Sequence, residues 1–280
     1  ADGLPGIPRF RPRQMLAAQL ASATNRRFVE NSVNRFWYLM MGRGLVHPLE
    51  MMHADNPASH PELLKILADE FTAHQFDVKW LLGVLARTRA YQRASLLPAE
   101  LTVQDAKPGS YQVAHAKGLS PEQMAWSMMR VTGVLEQIAG KKRPEDSKFN
   151  FKDYINGRIP GPDNLEDTML LFTSVFGNPP GQAEIDFQPS MGQALFLMNE
   201  QLVLDWLKPA SGGLVSRLEK ATDNKIIAQE LFLTILARFP DEQETGDLLQ
   251  HLEKHTARRT DAISEYAWAL LTSAEFKLNH

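Results

Sequence analysis

Residues 59–71 run Ser59-His60-Pro61-Glu62-Leu63-Leu64-Lys65-Ile66-Leu67-Ala68-Asp69-Glu70-Phe71. A serine three residues ahead of a glutamate, with proline in the first turn, reads as a capping box that opens a helix. Leu63, Leu64, Leu67 and Phe71 then recur at three- and four-residue steps, the spacing of one buried helical face. The same grammar extends in both directions. Upstream, Thr24 is placed to cap a helix carrying Val29, Val33, Phe36, Trp37, Met40 and Met41, stopped by Gly42 and Gly44. Downstream, Asp77 opens Val78, Leu81, Leu82 and Leu85 after a short connection, which makes that helix an antiparallel neighbour.

Further along, Ser120-Pro121-Glu122-Gln123 repeats the start signal before Met124, Met128, Val131, Leu135 and Ile138. A short helix is expected from about Leu165 to Phe176. Ser190, Asp223, Asp241 and Thr260 each precede another apolar stripe, the first running to Trp206. No stretch alternates cleanly over more than four or five residues, so a βαβ sheet, and with it a Rossmann or P-loop nucleotide site, is not expected. The expected fold is all-α, a bundle-like array of many helices with long surface loops around 94–118 and 141–164. The first loop divides the chain into an N-terminal helical part, 1–118, and a C-terminal one, 119–280, expected to pack as one unit.

The chain has 280 residues, 44% hydrophobic and 22% charged, enough apolar material for a core. It contains no cysteine, which removes disulfides, thiolate nucleophiles, Cys-ligated metal or iron–sulfur sites and covalent c-type haem attachment. No apolar run approaches the length of a membrane span, and residues 1–5 carry no secretory signal, so the chain looks trimmed. The formal charge is −3, yet residues 1–43 hold seven arginines (9, 11, 13, 26, 27, 35 and 43) against Asp2 and Glu30. Guanidinium groups suit phosphate, but no nucleic-acid-binding motif accompanies them; carboxylate pairing is the simpler expectation, and nucleic acid is not an expected partner.

Two constellations stand out. His47, Glu50, His53, Asp55 and His60 are metal-capable types at loop-like spacing that fits no His-Glu-x-x-His helix, so a solvated connection is preferred and no resident metal is expected. Asn34, Arg35, Trp37, Arg43 and Arg89 are the second. Asn34 and Arg35 sit between Val33 and Phe36-Trp37, so at least one faces inward, and an internal ion pair locking two helices is expected. Asp69-Glu70 and Glu166-Asp167 are neighbours on helices and point apart, which does not suit a glycosidase pair. There is no Gly-x-Ser-x-Gly elbow. The methionines lie at helical spacing and read as core.

Val33-Asn34-Arg35-Phe36-Trp37, Gly42-Arg43-Gly44-Leu45-Val46-His47-Pro48, Asn56-Pro57-Ala58-Ser59-His60-Pro61-Glu62-Leu63-Leu64 and Ala90-Tyr91-Gln92 together carry a resemblance. Phe176-Gly177, Gln193 to Asn199 and Ser273-Ala274-Glu275-Phe276 extend it over nearly the whole chain. The sequence resembles the PSD-type C-terminal domain of unknown function found in planctomycete proteins that often also carry a cytochrome-c-type haem domain. Where that family commonly has a Cys-Glu-Cys-type segment, Gly181 to Asp186 stands here, and the acidic pair after the Gly-Arg-Gly turn becomes Glu50-Met51-Met52.

The resemblance implies an exported protein, extracytoplasmic in location, of which this is the C-terminal part. On these grounds the expected role is a non-catalytic helical interaction or scaffold module with no cofactor of its own. Its expected partners are other domains of the same parent, a haem-containing one among the candidates. The alternative is a hydrolase acting on polysaccharide, built around Arg43 and His60 with Asn34, Arg35 and Asn56.

Overall fold

The computed structural model describes residues 12–279 other than 100, 103, 105 and the stretches 144–147 and 178–189. Arg9, Arg11 and the segment at 181–186 therefore lie outside the described residues. The fold is all-α. The described residues divide into two units, one ending at Ala116 and one running from Lys117 to Asn279.

The first unit holds α1 (Pro12–Leu20), α2 (Arg26–Met41), α3 (Pro61–Ala73) and α4 (Val78–Ala86). Val29, Val33, Trp37 and Met41 recur every four residues along α2 and are buried with Asn34. They meet Leu64, Leu67, Ala68 and Phe71 of α3 and Leu81 and Leu85 of α4 in one apolar core. The cap of α2 is Asn25 rather than Thr24: its side chain accepts the Phe28 amide, 3.3 Å away. Gly42 ends the helix in the left-handed region, φ 78°, where a residue without Cβ is favoured.

The α3 start differs from the capping-box expectation. His60 occupies the cap position and makes no side-chain cap bond. Ser59 faces another way, its amide and hydroxyl both donating to the Leu45 carbonyl at 2.7 and 3.1 Å. The helix starts with Pro61 and Glu62 in its first turn and without a serine cap.

The second unit holds α5 (Pro121–Thr132), α6 (Leu135–Ile138), α7 (Phe151–Ile155), α8 (Leu165–Phe176), α9 (Met191–Asn199), α10 (Gln201–Trp206), α11 (Leu214–Leu218), α12 (Asn224–Leu236), α13 (Glu242–Lys254) and α14 (Arg259–Thr272). Two-residue strands β1 (Lys117–Gly118) and β2 (Leu278–Asn279) pair antiparallel across its ends. Capping boxes form at Ser120, Ser190 and Asp241. The stripe from Met124 to Ile138 is two helices, broken at Gly133 with φ 81°, and the one from Ser190 to Trp206 breaks at an extended Glu200. Thr260 is not a cap: α14 begins at Arg259, and the Thr260 hydroxyl lies 3.3 Å from a Glu219 oxygen. The 141–164 region is not a loop throughout, since α7 lies within it.

α5 packs on α8, and α12, α13 and α14 pack together around a core that includes Met128, Phe172, Leu231, Phe232 and Ile263. Two charge clusters brace this unit. Arg238 reaches Glu244 at 2.7 Å and Glu275 at 2.5 Å, tying the α12–α13 turn to the segment after α14. Glu166 and Asp167, expected to point apart, both meet Arg143: its Nη1 lies 2.9 Å from Glu166 and its Nε 2.6 Å from Asp167. A long guanidinium on a neighbouring segment gathers carboxylates that the helix itself splays.

Candidate functional site

The sequence-marked residues of the first unit converge on the segment between α2 and α3, residues 42–60, although they do different things there. Asn34 is completely buried, and its amide bonds both polar groups of one distant residue. Nδ2 donates to the Val46 carbonyl and Oδ1 accepts the Val46 amide, each at 2.9 Å. Asn34 is therefore the inward residue of the pair, in place of an internal ion pair through Arg35. Arg35 is exposed and faces Glu50 at 3.7 Å.

Asn56 donates through Nδ2 to the Met51 carbonyl at 2.9 Å and the His47 carbonyl at 3.3 Å, closing the turn that contains the cis His47–Pro48 bond. Ser59 holds Leu45, as described. His60 is exposed, with Nδ1 3.2 Å from the Ser59 hydroxyl. Arg43 is half-buried and Arg89 exposed.

Sequence reasoning missed Tyr111, the residue that completes this arrangement. It lies in the 94–118 stretch, where helical periodicity is lost, yet only 7% of its surface is exposed. Its hydroxyl donates toward the Gly44 carbonyl at 2.8 Å and the Arg43 carbonyl at 3.1 Å. Trp37 packs edge-on against its ring at 5.2 Å, and the rings of His60 and His115 each lie 5.8 Å away. Burial pushes the phenol above its ordinary value, opposed by the neighbouring Trp37 and Ser59 side chains and the Arg43 charge. The one available signal was a lone tyrosine amid polar loop residues, Ser110-Tyr111-Gln112.

Chemically, the cluster puts a serine hydroxyl beside an imidazole. The hydroxyl proton points at the Leu45 carbonyl, so Ser59 is engaged as a structural donor in this conformation. Two other titratable groups of the segment pair locally: His53 Nδ1 accepts the Asp55 amide at 3.2 Å and lies 3.9 Å from its carboxylate. Among the described residues, no three His, Asp or Glu side chains gather in a way that could hold a metal ion.

Residues 12–252 match the family model PSD1, described as a protein of unknown function (DUF1553). The chain belongs to the PSD1 family. The match spans both units and includes the whole 42–60 segment, so the arrangement around Asn34 and Tyr111 lies inside the family domain. No curated protein and no solved structure matches the chain. Among the described residues, no helix is long and apolar enough to cross a membrane.

Proposed function

We propose that this chain is a non-catalytic helical interaction module of a larger extracytoplasmic protein, docking against other domains of that parent, a haem-containing one among them. The observation that carries the proposal is how the polar side chains around residues 42–60 are used. Asn34, Asn56, Ser59 and Tyr111 all bond the main chain of this segment, at Val46, His47, Met51, Leu45, Arg43 and Gly44. They fix a loop rather than surround a substrate. A loop held this firmly displays Glu50, His53 and His60 at its surface, beside Arg35 of α2, in one arrangement, and a preorganised surface loses little conformational entropy on binding. Placement in an exported parent rests on the family resemblance of the motifs.

One contact favours a second reading, a hydrolase acting on polysaccharide: His60 Nδ1 lies 3.2 Å from the Ser59 hydroxyl. A calorimetric titration and a hydrolysis assay separate the two. Titrated with the parent's remaining domains expressed separately, the chain is expected to form a saturable complex. Arg35→Glu combined with His60→Glu is expected to weaken it at least about tenfold without lowering the unfolding midpoint. No complex, or release of reducing ends from polysaccharide that His60→Ala abolishes, would overturn the interaction reading.

A further inference from the structure

A cleft of about 530 Å³ opens in the second unit between α7, α8 and α9. Phe151 and Ile155 of α7, Val175 of α8, and Leu195 and Phe196 of α9 make its apolar walls. Ile155 and Leu195 are 60% and 51% exposed, so the wall continues to the surface. Volume and lining suit a small organic molecule.

Among the described residues, one ionisable residue lines the cleft: Glu200, at the break between α9 and α10. The geometry of its carboxylate is lopsided. Tyr154 donates its hydroxyl to Oε1, and the Leu202 amide donates to the same oxygen at 3.3 Å. Among the described residues nothing donates to Oε2, and no cation pairs with Glu200. Of the basic groups on the neighbouring segments, Lys208 pairs with Asp205 at 2.6 Å and Arg158 with Asp153 at 3.1 Å, and Lys148 and Lys152 form no ion pair with Glu200. In sequence, residues 144–147 and 178–189, which lie outside the described residues, contain no lysine, arginine or histidine. Asp205 adds a second negative field at Tyr154.

A half-buried carboxylate against aromatic and aliphatic walls is poorly solvated on one side, and a cation restores what it loses. The negative faces of nearby aromatic rings favour the same charge. We propose that this cleft binds small organic cations, a primary ammonium group on an aromatic or branched aliphatic body, with the ammonium on Glu200 Oε2 and the body between Phe151, Leu195 and Phe196. The site belongs to the second unit and is independent of the role of residues 42–60.

Three probes of one shape test it on the full chain by amide chemical-shift titration: 4-phenylbutylamine, 4-phenylbutanol and 4-phenylbutyrate. The amine is expected to bind saturably, with shifts at Phe151–Ile155, Ser174, Val175 and 190–200. The alcohol is expected to bind about tenfold more weakly and the carboxylate not at all. Glu200→Gln keeps an acceptor for Tyr154 and Leu202 and is expected to reduce the amine to the alcohol's affinity. Leu195→Lys, at an exposed wall position, brings a cation of the protein's own and is expected to abolish amine binding with the unfolding midpoint unchanged. Equal binding of amine and alcohol, amine affinity unaffected by Glu200→Gln, shifts centred elsewhere, or no saturation at millimolar amine would each overturn the proposal.

Discussion

Asn34 satisfies both main-chain polar groups of Val46 with a single side chain, one bond given and one received, each 2.9 Å long. The carboxamide does here what a neighbouring β-strand does elsewhere, matching donor to acceptor and acceptor to donor on an irregular segment that has no ladder of its own. Because Asn34 sits on the buried face of α2 beside Val33 and Trp37, the start of the 42–60 segment is pinned to the core of the first unit.

Asn34→Leu, close in size and apolar, should destabilise the first unit by about 2–4 kcal/mol, because the Val46 amide and carbonyl are left buried without partners. Chemical denaturation measures this. A loss under about 0.5 kcal/mol would show that the segment finds other partners.

Two glycines should respond oppositely to alanine. At Gly44 a Cβ would lie 2.4 Å from the Val46 carbonyl oxygen and 2.9 Å from Leu49, so Gly44→Ala should cost about 2 kcal/mol or more. At Gly83, within α4, a Cβ meets nothing within 4 Å, and Gly83→Ala should stabilise by about 0.5–1 kcal/mol. Thermal midpoints of the two variants moving in the same direction would contradict the local geometry.

Tyr111→Phe removes one hydroxyl and little volume. It should cost about 1–2 kcal/mol and speed hydrogen exchange along residues 42–60 while leaving α4 protected. Unchanged exchange would mean that the ring's packing on Trp37, rather than the hydroxyl, holds the segment.

Arg238 holds the Glu244 carboxyl below its ordinary value, which makes this clamp sensitive to acid. A carboxylate lowered on folding stabilises fully above its unfolded value of about 4.3 and loses that contribution as pH falls through the folded value. Both side chains are partly exposed, so the stabilisation is modest, about 1 kcal/mol. Glu244→Gln should therefore lower stability by about that amount at pH 7 and by almost nothing near pH 3. A difference that does not change with pH would remove the electrostatic explanation.

Arg143→Met leaves Asp167, which is only 8% exposed, without its guanidinium. The expected cost is about 2–3 kcal/mol, and Asp167→Asn in the same chain should recover part of it. Strict additivity of the two substitutions would show that the pair is not coupled.

What the sequence revealed followed the range of the interactions. Caps at Asp77, Ser120, Ser190, Asp223 and Asp241 were legible because each bond spans two or three residues and depends on no distant partner. Ser59 carried the same local signal, but Leu45, fourteen residues upstream, captures its hydroxyl. Tyr111 was illegible for the same reason in stronger form, since its acceptors Arg43 and Gly44 lie 68 and 67 residues away. The breaks at Gly133 and Glu200 were hidden because an apolar stripe can continue across a change of helix axis. Of the candidate site, the residue types and their segment were legible; which side chain faces inward was not.

The pairing of Lys117 with Asn279 and Gly118 with Leu278 places the first and last described residues of the second unit side by side. Tension applied through those two points pulls the short ladder open one rung at a time before any force reaches the helices. While the clasp holds, load entering at one strand leaves by the other and spares the helices; once it has unzipped, the load passes into the helical chain between them. The same adjacency makes residues 117–279 a graft that could be moved into a surface loop of another protein without stretching either end.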